Sequence, residues 1–167
     1  MKVEIEQRVK AIAHALMKRG WMLVTAESCT GGGVAQALTE LAGSSAWFER
    51  GFVTYSNRSK EEMLGVDAAL IERHGAVSLE VVEAMAQGAR KHSDGQVALA
   101  ISGIAGPSGG TPHKPLGTVC FSWAIDQINL SSEVVVFNGD RCSIRAQAIH
   151  YSLQGLARIL ASTVATE

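Results

Sequence analysis

The sequence predicts an α/β protein: a mixed sheet flanked by helices in a three-layer α/β/α sandwich. Three observations carry that prediction. Val97 to Ile104 is an almost unbroken apolar run, as expected of a strand covered on both faces. Apolar residues recur at helical spacing near both ends of the chain, over residues 3–19 and about 142–162. Between them, helix-like and strand-like segments follow the order αβαβααα-βββ-α. No repeat, linker or second domain interrupts them, so residues 1–167 read as a single domain.

The first helix places Ile5, Val9, Ile12 and Leu16 on one face and charged residues on the other, and Gly20 stops it. Residues 21–26 form a strand that runs into Thr25–Gly33, TAESCTGGG. A second helix, rich in small residues, covers 31–42 and ends at Gly43. Phe48 to Tyr55 reads as a strand from Phe52, Val53 and Tyr55. Ser56-Asn57 offers N-cap chemistry for a short helix over Ser59–Leu64, and another covers Asp67–His74. Ser78 caps a clearer helix in which Val81, Met85 and Ala89 share a face with Val82 and Ala86.

After the apolar strand, Gly106–Pro115 holds all 3 prolines of the chain and reads as a long surface loop with the character of a lid. Gly117–Ile125 alternates, with Val119, Phe121, Trp123 and Ile125 pointing one way. Glu133–Phe137 adds a strand that Asn138-Gly139 turns. The last helix is expected to bury Ala146, Ile149, Leu153, Leu156 and Leu160.

Composition excludes several classes. With 47% hydrophobic and 19% charged residues and a net charge of −1, the chain is ordinary for a soluble globular protein. No basic stripe with interleaved aromatics points to nucleic acid. No apolar run approaches the roughly 18–20 residues that span a bilayer, and the N-terminus has no signal-peptide core. The 3 cysteines lie in unrelated contexts, so no disulfide framework is expected and a reducing cytoplasm is the default location. The 5 histidines show no HxH or HExxH spacing and no CxxC occurs, so no metal site is indicated.

The chemistry concentrates in TAESCTGGG, a strand–turn–helix junction. Ser28 and Cys29 are adjacent nucleophile candidates, Glu27 precedes them, and three glycines follow that let the backbone approach a ligand. Helix N–H groups beyond the turn would face a developing anion. The turn matches neither GxSxG nor GxxxxGK[ST]. A capping serine is the plainer reading of Ser28, and packing the plainer reading of Cys29. Lys60 follows Tyr55 by five residues, at a strand end and a helix start on one rim of the sheet, so a Ser–Lys–Tyr cluster results if Ser28 shares that rim. To act as a base Lys60 must be largely neutral. From spacing alone the favoured reading is a surface lysine in a KEE helix. Ser102 ends the apolar strand, either as a turn residue or as a pocket member. Arg141 and Arg145, four apart at the start of the last helix, are suited to an anion such as phosphate, with Asp140 a simple pairing partner.

These stretches resemble one family. TAESCTGG at 25–32, LAGSSAWFERGFVTYSN at 41–57, HGAVS at 74–78, ISGIAGPSGG at 101–110, KPLGTV at 114–119 and NGDR at 138–141 are similar to the C-terminal domain of CinA, the competence/damage-inducible protein family. The likeness is greatest to its stand-alone nicotinamide-nucleotide amidases of the PncC type. The resemblance implies a CinA C-terminal-like fold and hydrolysis of nicotinamide mononucleotide to nicotinate mononucleotide and ammonia, in pyridine nucleotide salvage. It implies a Ser–Lys amidohydrolase without metal or organic cofactor. Carried over by motif, Ser28 is the nucleophile, Tyr55 and Lys60 its activating partners, with Tyr55 as a proton relay. Backbone N–H groups around Gly31–Gly33 receive the oxyanion. Thr30, Gly31, Gly32, Ser102, Gly103, Arg141 and Arg145 bind substrate, with Arg141 preferred over Arg145 for the phosphate. Many relatives carry threonine where this chain has Ser102. The family's additional nucleotide pyrophosphatase domain has no counterpart in these residues, so that activity is not expected. A homo-oligomer, with a dimer favoured, is expected, and no nucleic acid or membrane partner. The alternative is a non-catalytic nucleotide-binding protein serving competence or the DNA damage response.

Overall fold

The computed structural model describes residues 1–125 and 129–163. Six helices and five strands follow one another as α1 (Lys2–Arg19), β1 (Leu23–Glu27), α2 (Gly33–Thr39), β2 (Phe48–Val53), α3 (Asn57–Leu64), α4 (Ala68–His74), α5 (Leu79–Lys91), β3 (Val97–Gly103), β4 (Thr118–Ile125), β5 (Asn129–Val136) and α6 (Arg141–Ser162). The sheet order is β2-β1-β3-β4-β5. β1 pairs parallel with β2 and β3, whereas β4 and β5 run antiparallel to their neighbours. The expected mixed sheet between two helical layers is thus observed.

Successive strand residues alternate between two core clusters, which assigns each helix to a layer. Leu23, Leu99, Ile101, Val119, Phe121 and Trp123 pack with α1, α2 and α6, while Val24, Ala26, Ala98, Ala100, Cys120 and Ala124 pack with α3, α4 and α5. Because both faces are covered, all eight residues of β4 are buried, polar Ser122 included. α6 approaches β4 so closely that a Cβ on Gly155 would lie 2.1 Å from the Trp123 ring, and Trp123 Nε1–H donates to Ser152 O at 3.0 Å. Only glycine fits there.

The short helices start where capping predicts. Ser56, Asp67 and Ser78 each accept a backbone N–H from the first turn of the helix that follows. Other boundaries differ from expectation. α2 begins at Gly33, because residues 28–32 are spent in the turn. β5 begins at Asn129 rather than Glu133: pairing with Ala124 and Ile125 extends a stretch whose own composition is weakly strand-forming. The buried face of α6 comprises Ile144, Ala148, Ser152, Leu153, Gly155, Leu156 and Leu160, leaving Ala146 and Ile149 at its edge. Small Ser152 and Gly155 lie on that face because the helix seats against large aromatics, a condition no apolar count detects. Asp140 is the N-cap of α6, accepting from Ser143 N–H at 2.8 Å, and among the described residues its carboxylate is not paired with an arginine.

The fold therefore brings the C-terminal ends of β1, β2 and β3 to one rim, where α2 and α3 begin. Ligand sites of parallel α/β sheets form at such rims.

Candidate active site

β1 ends at Glu27, and the next residues fold into a tight turn before α2. Gly31 N–H donates to Ser28 O and Gly33 N–H to Thr30 O, each at 3.0 Å. Gly31 and Gly32 take φ of 58° and 98°, left-handed values that a side chain strains. Ser28 N–H donates to Ile101 O of β3 at 3.0 Å, which fixes the serine beside the neighbouring strand. Ser28 and Thr30 are buried, as is Cys29.

Lys60 enters from α3. That helix buries only Lys60 and Leu64, one turn apart, and the lysine side chain reaches past the end of β2 to the turn. It is 1% exposed. Its Nζ lies 3.1 Å from Ser28 Oγ, 2.8 Å from Thr54 O and 3.5 Å from Tyr55 O. No carboxylate pairs with it among the described residues. Burial holds its pKa below the ordinary lysine value, as desolvation without a counter-ion requires. Burial has the opposite effect on the neighbouring thiol: Cys29 is pushed up to about 12 and is therefore uncharged near neutrality. Of the two adjacent nucleophile candidates, only the serine has a base within reach.

The remaining predicted residues divide. Thr30 donates its hydroxyl to Glu27 Oε1 at 2.7 Å. Tyr55 reaches Lys60 through its carbonyl, whereas its exposed phenol oxygen accepts from Arg141 Nη2 at 2.9 Å. The phenol makes no hydrogen bond to Ser28 or Lys60 among the described residues, so the relay expected of it finds no path in this geometry. Ser102 Oγ donates to Ala76 O at 2.7 Å, and a Cβ on Gly103 would lie 3.0 Å from Cys29 Sγ, so this strand end packs against the nucleophile turn. Arg145 donates from Nε to Cys29 O at 3.0 Å and from Nη2 to Thr30 O at 3.2 Å. Arg141 is exposed and donates from Nη1 to Gly106 O at 2.8 Å. The loop expected to act as a lid is anchored at Gly106 by this bond and at Lys114, whose Nζ donates to His74 O at 2.6 Å.

Sequence reasoning placed no role on Glu27. The signal was present: an acidic residue directly before the nucleophile and six before the first residue of α2. Its meaning needed the turn, which folds α2's amides back over the end of β1. Among the described residues no group of three or more His, Cys, Asp or Glu is placed to hold a metal.

Comparison with known proteins places this site in a family. The chain is 50% identical over 153 residues to the nicotinamide-nucleotide amidohydrolase PncC of Escherichia coli, covering 92% of this chain and 93% of that one. It is 52% identical over 137 residues to the protein of the same name from Pseudomonas putida, covering 82% and 85%. The crystal structure of the competence/damage inducible protein CihA from Agrobacterium tumefaciens superposes with a TM-score of 0.91 at 40% identity, covering 95% of this chain and 96% of that one. The family model of the CinA C-terminal domain matches residues 5–160, and the chain belongs to that family.

Proposed function

We propose that the chain is a nicotinamide-nucleotide amidohydrolase that converts nicotinamide mononucleotide to nicotinate mononucleotide and ammonia, with Ser28 as nucleophile and Lys60 as its base. The activity named for the Escherichia coli and Pseudomonas putida relatives supports the substrate. The roles rest on one observation: a buried lysine without a counter-charge lies 3.1 Å from the serine hydroxyl. A neutral amine has two N–H bonds and one lone pair. Nζ faces three oxygens, those of Thr54 C=O, Tyr55 C=O and the Ser28 hydroxyl. When the amine is neutral its two N–H bonds stay on the carbonyls and the Ser28 O–H turns to donate to the lone pair.

In this mechanism Lys60 takes the Ser28 proton as Oγ bonds to the carboxamide carbon, and the carbonyl electron pair moves onto oxygen. Collapse breaks the C–N bond, and ammonia leaves with the proton held by Lys60. A water molecule, giving its proton to the same amine, then cleaves the nicotinoyl ester and regenerates Ser28. The turn residues Thr30, Gly31 and Gly32, with Ser102 and Gly103, form the wall against which the pyridine ring lies. Arg141, exposed at the rim, is assigned the phosphate, while Arg145 spends two donors on the turn itself. Phosphate binding remote from the reacting bond gives energy that orients the carboxamide.

The proposal places the single-domain enzyme in the cytoplasm as a homo-oligomer, a dimer favoured. Leu130, Val134 and Val136 leave an apolar strip exposed on the edge strand β5. Light scattering that returns a monomer mass would remove that part. The activity is tested by ammonia release from nicotinamide mononucleotide: turnover is expected in the parent and abolished in Ser28→Ala. Mononucleotide binding with no ammonia release by the parent would favour a non-catalytic nucleotide binder instead.

A further inference from the structure

Glu27 directly precedes the nucleophile and is 1% exposed. Its carboxylate accepts the Thr30 hydroxyl at 2.7 Å, Val34 N–H at 2.8 Å and Ala35 N–H at 3.0 Å. Those two amides belong to the first turn of α2, where no helical carbonyl can satisfy them. The side chain thus occupies the donors that a helix start would otherwise present to an anion. Within the turn, Gly31 N–H and Gly33 N–H are also taken, by Ser28 O and Thr30 O. Of the expected oxyanion donors at Gly31–Gly33, only Gly32 N–H has no partner among the described residues, and the N–H groups of Cys29 and Thr30 join it. The direction of Thr30 N–H is set from behind: Arg145 holds Cys29 O, and in a trans peptide the next N–H points the opposite way.

We propose that Glu27 is a positioning residue for the hydrolysis. By gripping Thr30 and the start of α2, it holds the turn in a shape that leaves the N–H groups of Cys29, Thr30 and Gly32 to receive the oxyanion formed when Ser28 attacks. This rests on the amidase reading of the site. Glu27→Gln preserves volume but sets an NH2 group against amide donors, so the grip fails on one side. The energetic consequence falls on the tetrahedral state, where charge develops on oxygen, and not on the ground state.

The test compares parent and Glu27→Gln in three readings: steady-state hydrolysis of nicotinamide mononucleotide, affinity for nicotinate mononucleotide, and affinity for the 3-formylpyridine mononucleotide. In the last, Ser28 Oγ adds to the aldehyde carbon and the same oxyanion forms. The variant should lose about 100-fold in kcat with KM little changed. Aldehyde affinity should fall by the same factor and product affinity should hold. Loss expressed in KM, or equal loss for aldehyde and product, overturns the inference. Should Glu27→Gln fail to fold, Thr30→Val removes only the hydroxyl contact and should lower kcat about tenfold with the same pattern. If the parent releases no ammonia, the amidase reading falls, while the aldehyde-to-product affinity ratio still decides the role of Glu27.

Discussion

Two side-chain clusters join distant parts of this chain, and they treat charge in opposite ways. On the α6 side of β5, Glu133 accepts from the Tyr151 hydroxyl and from Arg158 Nη2 of α6, the latter at 2.6 Å. The Tyr151 hydrogen bond, with Arg158 behind it, holds the Glu133 carboxyl below its ordinary value. At the rim, Lys60 is nearly inaccessible, faces a hydroxyl and two carbonyls, and burial holds its amine below its ordinary value. The first cluster neutralises its charge and ties two elements together. The second leaves an amine that gains from losing its proton. A perturbed group with no counter-charge among the described residues, at the rim of a sheet, points to chemistry rather than to support.

The largest expected effect breaks the second cluster. Lys60→Met should lower ammonia release about 10⁴-fold. Combining it with Ser28→Ala should cost little more, because the two groups act as a unit. The same variant should not be less stable at neutral pH, since a solvation-starved amine gives way to an apolar chain of similar length. The sign of the parent's pH dependence follows from linkage. An unfolded lysine titrates near 10.5, the folded one lower, so between those values the unfolded state holds more protons. Stability of the parent should rise with pH through that window, and Lys60→Met should lose the rise, as thermal unfolding at several pH values would read.

Next in size is the acid limb of kcat/KM. It should fall about tenfold per pH unit on the acid side of the Lys60 titration, and the titration should lie below the ordinary lysine value. Gly155→Ala tests the supporting side: with 2.1 Å available beside the Trp123 ring, denaturant unfolding should show a loss of about 1–3 kcal/mol with kcat retained. Arg158→Ala should cost at most about 1 kcal/mol, because the pair is half-exposed and screened. The Glu133 contribution is present above its unfolded pKa and lost as pH falls through the lowered folded value, so removing Arg158 should show only above that range.

These contrasts mark what a sequence reading reaches. The double-sided burial of β3, the capped starts of α3 and α5 and the alternation of β4 follow from local pattern and were legible. The order of the sheet was not, since Val97–Gly103 carries no label saying that it lies between β1 and β4. At the site, Ser28 stood out by its glycines, whereas Lys60 sits in RSKEEML and reads as solvated. Its burial follows from an eight-residue helix whose inward face has room for one lysine and one leucine. Arg145 stood out by its spacing from Arg141, but its hold on the Cys29 and Thr30 carbonyls could not be read. The position of Glu27 beside Ser28 was visible while the α2 amides it grips were not, because contacts to backbone leave no residue-type pattern. Tyr55 kept its place beside Lys60 but contributes its carbonyl, a group every residue has.

The central claim is that Lys60 is a neutral amine at the pH where the enzyme works. Its Nζ titration, followed by NMR of the ε-carbon resonance and assigned by its loss in Lys60→Met, tests this directly. A midpoint below the ordinary lysine range, coinciding with the acid limb of kcat/KM, is the predicted result. A midpoint at or above about 10.5 would contradict it and remove Lys60 as the base.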